Sequence, residues 1–105
     1  MSDKVKALAE KLTRTRKLTQ QAREELAKKL FDIDQVSLAI TEMAGRGFDT
    51  LTVAPGLPLD LRSTEAAKES SQLLTKAGFA VEWHRRQLRA DDPETWYMLV
   101  TWAKR

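Results

Sequence analysis

Met43-Ala44-Gly45-Arg46-Gly47-Phe48 leads directly into Asp49-Thr50-Leu51-Thr52-Val53, and Leu74-Thr75-Lys76-Ala77-Gly78-Phe79 leads into Ala80-Val81-Glu82-Trp83. In both stretches a helical pattern stops at glycine, phenylalanine follows at once, and a β-type run begins. Glycine supplies the left-handed residue that ends a helix, and an apolar residue after it can fold back on the last turn. The chain therefore alternates helix and strand twice, which sets its fold class.

Working outward, Asp32-Ile33-Asp34 reads as a turn, with Asp34 as the cap of a short helix that turns Val36, Ala39, Ile40 and Met43 inward. The first strand covers residues 48–53, and Pro55-Gly56 then marks a tight turn. Asp60 or Ser63 is positioned to cap a second helix, with Glu65 at its positive end. Ala66, Ser70, Leu73 and Ala77, with Leu74 alongside, form that helix's expected buried stripe.

Phe79, Val81 and Trp83 alternate with polar neighbours, as in a half-buried strand. A turn around residues 90–94 precedes a last strand, residues 95–102, that is apolar on both faces. Trp96, Met98, Val100 and Trp102 lie on one face, Tyr97 and Leu99 on the other. Two-sided apolarity suits a central strand, so the last strand is expected between the other two and antiparallel to both. The predicted fold is α+β: an N-terminal helical arm, then a split β-α-β type domain with a small three-stranded mixed sheet in the order 1-3-2.

The division falls at residue 30, with a basic helical arm over 1–30 and a compact domain over 31–105. The arm is free of Gly and Pro and rich in Ala, Leu, Lys, Glu and Gln. Val5, Leu8, Ala9 and Leu12 share one helical face, as do Leu18, Ala22, Leu26 and Leu30. Thr13-Arg14-Thr15-Arg16-Lys17 interrupts the stripe, and a continuous or gently broken helix whose first half projects from the body fits this pattern. Three large apolar residues before Arg14 anchor such a helix only weakly.

With 105 residues and 42 % hydrophobic content, the chain supports one modest core. No apolar run reaches the roughly 18 residues of a membrane span, and residues 1–4 lack the apolar stretch of a signal peptide. The expected location is cytoplasmic. The absence of cysteine removes disulfides and thiolate metal sites. The net charge is +3, but residues 1–30 carry nine basic side chains against four acidic ones, whereas residues 31–80 carry four against seven. A basic arm on a mildly acidic body suits nucleic acid, an acidic partner or a neighbouring copy of the chain.

Catalytic motifs are missing from the pattern. His84 is the single histidine, so no histidine pair exists at metal spacing. Gly45-Arg46-Gly47 closes a helix before a strand, the reverse of a phosphate-cradling loop. Asp32/Asp34 and Asp91/Asp92/Glu94 fall in turns that Asp favours for its local hydrogen bonds, and Ser70-Ser71 lacks an elbow or a base. An anion site at the start of the second helix, with Arg62 and Thr64, is the nearest approach to a ligand site. No enzyme activity, cofactor or metal is expected.

The layout of residues 36–102, with helix, Gly-Phe, strand, polar hairpin and a last strand ending in Val100-Thr101-Trp102, is similar to that of many small bacteriophage proteins, including particle components. The resemblance implies a structural or accessory role, possible incorporation in a phage particle, and no catalytic residues to carry over. The primary expectation is a protein-interaction or assembly module with Val5, Leu8, Leu12, Tyr97 and Leu99 at the interface. The alternative is nucleic-acid binding through Lys11, Arg14, Arg16 and Lys17, with Lys28 and Lys29, joined by Arg85, Arg86 and Arg89.

Overall fold

A computed structural model describes residues 2–56, 59–87 and 94–104. Helix α1 runs unbroken from Ser2 to Leu30. Helix α2 (Ile33–Gly45), strand β1 (Thr50–Val53), helix α3 (Glu65–Lys76) and strands β2 (Ala80–Arg86) and β3 (Thr95–Thr101) follow. Residues 88–93, most of the expected second turn, lie outside the described residues, as do Leu57 and Pro58 of the loop after β1.

The two Gly-Phe junctions close alike. At the end of α2 the Phe48 N–H donates to the Met43 carbonyl at 3.0 Å and the Gly47 N–H to the Ala44 carbonyl at 3.0 Å. At the end of α3, Phe79 donates to Leu74 at 3.0 Å and Gly78 to Thr75 at 3.1 Å. Gly47 and Gly78 have φ of 91° and 105°, the left-handed conformation that this closure requires. The hydrophobic half of the motif differs between them. Phe79 packs on the core and meets Trp102 edge-on with ring centroids 6.3 Å apart, while Phe48 is exposed.

β3 is the central strand, paired antiparallel with β1 on one side and β2 on the other, in the order β1-β3-β2. β1 and β2 run in the same direction but are not neighbours, so both ladders are antiparallel. Two rows cross the sheet on its covered face, Leu51–Val100–Val81 and Val53–Met98–Trp83. Met98 and Val100 are fully buried there, as a middle strand requires. The core joins these rows to Ala27 and Phe31 at the end of α1, Val36 of α2, Leu61, and Ala67 and Leu74 of α3.

The helix caps differ from the sequence reading. Asp32, not Asp34, caps α2, its Oδ1 accepting from the Asp34 N–H at 3.1 Å. Thr64, rather than Asp60 or Ser63, caps α3, its Oγ1 accepting from the Ala67 N–H at 3.3 Å while donating to the Leu61 carbonyl at 2.6 Å. The inward stripe of α3 is rotated accordingly: Ala67, Ser70 and Leu74 are buried and Leu73 is exposed. The first strand likewise begins at Thr50, two residues after Phe48.

Only the last two turns of α1 belong to the body. Ala27 is fully buried, Leu30 packs on the core, and Phe31 sets its ring edge-on to Trp83 at 5.7 Å. Glu24 adds a polar anchor: its Oε2 accepts from the Glu65 N–H at 3.2 Å, at the first turn of α3. Every side chain described from residue 3 to 22 is exposed. The radius of gyration is 17.7 Å, against about 13 Å for a compact 100-residue domain, and the longest dimension is 64 Å.

Candidate interaction surfaces

The projecting part of α1 holds three of the five expected interface residues. Val5, Leu8 and Leu12 are 58 %, 65 % and 50 % exposed, and Leu18 is 66 % exposed. Among the described residues no body surface covers them. Good helix formers favour the helix in this exposed segment, aided by Asp3 in the first turn and by a Gln20–Glu24 hydrogen bond of 3.0 Å. Lys11, Arg14, Arg16 and Lys17 are exposed around the stripe, and Lys28 and Lys29 are exposed beyond it. Among the described residues none of these six takes part in an ion pair.

Tyr97 and Leu99 lie on the sheet face away from the helices, both half-buried. The register surrounds them with Thr52, Glu82 and His84. His84 stacks on Tyr97 with ring centroids 5.7 Å apart, and its Nε2 lies 2.9 Å from Glu82 Oε2. Tyr97 and Leu99 are thus an apolar island on a polar face, unlike the run of leucines on α1. Arg85 sits at the end of β2, donating to Glu94 Oε1 at 3.1 Å, and Arg86 beside it is exposed. Arg89 lies outside the described residues.

The three tryptophans do not form one cluster. Trp83 meets Phe31, Trp102 meets Phe79, and Trp96 lies under Arg62, whose Cζ is 3.4 Å from the ring centroid. Arg62 also grips Asp60 bidentately, with Nε–Oδ1 at 2.8 Å and Nη2–Oδ2 at 2.7 Å. These hydrogen bonds hold the Asp60 carboxyl below its ordinary pKa, against the smaller opposing effect of partial burial. Trp96 completes the junction by donating its backbone N–H to the Leu59 carbonyl at 3.3 Å. The anticipated anion site combines the backbone amides at the start of α3 with Arg62 and Thr64. Their groups are instead engaged by Asp60, Trp96, Ala67 and Glu24.

An open groove of about 500 Å³ lies where α1 meets the loop after β1, lined by Leu26, Lys29, Leu30, Pro55, Gly56, Leu59 and Leu61. Its lining is almost wholly apolar, and it was not apparent from sequence because Leu26 and Leu30 are distant from the loop along the chain. Among the described residues no cluster of three His, Cys, Asp or Glu side chains gathers to hold a metal, and no helix is long and apolar enough to cross a membrane.

Comparison with known proteins finds no matching family model, no similar curated protein and no similar solved structure.

Proposed function

We propose that this chain is a non-enzymatic protein-interaction or assembly module that docks through the projecting half of α1. The observation that carries the reading is the exposed row Val5, Leu8 and Leu12 on a helical stretch of some twenty residues whose described side chains are all exposed. Helical residues in water gain little from leucine over alanine by propensity alone, so large apolar side chains at one-face spacing are best accounted for by a surface that covers them. The layout resemblance to small bacteriophage particle proteins extends the reading to a component or accessory of such a particle. A fixed copy number in purified particles would support that extension, and absence from them would remove it.

The test replaces Val5, Leu8 and Leu12 together by Gln, which removes the apolar row but keeps helix propensity. Association, read as solution mass by light scattering or as a defined partner retained on the immobilised chain, should be lost. Association equal to that of the unsubstituted chain would overturn the proposal.

The unpaired basic side chains of α1 favour a second reading, binding to nucleic acid. Phosphate contacts of this kind carry no base code and weaken steeply with salt as counterions are released. Titration of labelled single- and double-stranded DNA at about 50 mM salt, where such contacts are strong, decides it. Absence of binding there removes the reading.

A further inference from the structure

The two halves of α1 carry one heptad pattern. Leu8, Leu12, Thr15, Thr19, Ala22 and Leu26 follow one another at alternating steps of four and three, the spacing of the seam in a two-stranded coiled coil. The helix is continuous through all of them. Read backwards about Lys17, the pattern falls on itself, with Leu8 matching Leu26, Leu12 matching Ala22 and Thr15 matching Thr19. A second copy laid antiparallel therefore sets leucine against leucine at the ends of the seam, leucine against alanine one layer in, and threonine against threonine at its middle.

Charge separates this arrangement from the parallel one. Lys11 and Arg16 flank the seam on opposite sides, and a parallel pair brings Lys11 of one helix against Arg16 of the other, a repulsive contact made twice. In the antiparallel pair Lys11 instead faces Glu25 of the second copy, also twice. Leu18, exposed and off the main stripe, then meets Leu18 of the second copy at the two-fold axis. The opposite flank brings Arg16 near Arg16 of the second copy, a like-charge contact that lies in solvent and is screened by salt.

The groove beside α1 continues the same face. Leu26 and Leu30 are part of its lining, and the antiparallel register brings Leu8 of the second copy to Leu26, with Val5 one turn further along. We propose that α1 pairs antiparallel with α1 of a second copy of this chain, each copy seating Val5 and Leu8 on the other's groove at Leu26 and Leu30. This rests on the reading of α1 as the docking element and names its occupant.

The chain has no native cysteine, so single cysteines report geometry in the full-length protein. Leu12→Cys and Ala22→Cys are prepared separately, then mixed and oxidised. In the antiparallel pair residue 12 lies about 15 Å along the axis from residue 12 of the other copy, beyond the roughly 7 Å Cα limit of a disulfide. The mixture should yield at least about tenfold more disulfide-linked dimer than either variant alone, because only unlike cysteines oppose each other. Self-linked dimers of each variant with no gain on mixing would show a parallel pair and overturn the inference. A monomeric mass for the unsubstituted chain at about 100 μM, well above the micromolar dissociation constants of weak specific pairs, would overturn it too. Either result leaves α1 free to dock on a different protein, a reading that falls only if the Val5, Leu8 and Leu12 replacements change no association at all.

Discussion

The two ends of α1 have similar composition and one continuous helical backbone, yet opposite fates. Near its C-terminus Ala27 and the following Phe31 are buried, and Glu24 caps another helix. Near its N-terminus three larger apolar residues, Val5, Leu8 and Leu12, lie in solvent. An alanine is in the core while leucines are outside it, so hydrophobicity alone does not assign a residue to the body. What decides is whether a neighbouring element presents a complementary surface. The C-terminal end meets α3, β2 and the core, whereas the N-terminal end leaves the body behind.

That contrast can be broken most forcefully at the sheet the helices cover. Val100→Asp would place an unpaired carboxylate in the fully buried middle of β3. The cost of several kcal/mol is comparable to the roughly 5–15 kcal/mol that holds a domain of this size together. The variant should be unfolded or insoluble, as judged by circular dichroism and yield. Phe31→Ala should be next, losing about 3–5 kcal/mol by urea denaturation through the cavity left beside Trp83. A loss below about 1 kcal/mol would mean that the end of α1 is not core.

Glu24→Gln tests the polar anchor on the same segment. It weakens an anionic cap at the start of α3, and a loss of up to about 1 kcal/mol is expected, without change in the helix content of α1. The smallest effect belongs to Asp60. Its pKa is lowered in the folded chain, so its contribution is present above the unfolded carboxylate value of about 4 and fades as pH falls through the lower folded value. Asp60→Asn should lack that component, and the stability gap between the two proteins should narrow on acidification below about pH 4. Since both partners are substantially exposed, salt should shrink the gap as well.

Much of this organisation is legible in the sequence, for reasons that can be traced residue by residue. The Gly-Phe junctions are readable because a left-handed residue at a helix end has few substitutes for glycine. The central place of β3 is readable because Tyr97 and Leu99 alternate with Met98 and Val100, leaving neither face polar. Caps are less legible, since Asp32 and Asp34, or Asp60, Ser63 and Thr64, are all competent and tertiary packing selects among them. The rotation of α3 follows from the cap that is chosen. The long seam of α1 escapes a search for leucines because Thr15 and Thr19 occupy its middle, although the four-three spacing runs through them. The groove requires the fold itself, since it is made by bringing Leu59 and Leu61 to Leu26 and Leu30.

The central claim is that the N-terminal half of α1 serves association and not the stability of the body. Its most direct test compares the unsubstituted chain with the Val5→Gln, Leu8→Gln, Leu12→Gln variant by urea denaturation at high dilution and by solution mass at high concentration. Equal unfolding midpoints at high dilution, with association lost in the variant, are the predicted result. A variant destabilised by more than about 1 kcal/mol at high dilution, or one that associates as fully as the unsubstituted chain, would contradict the account.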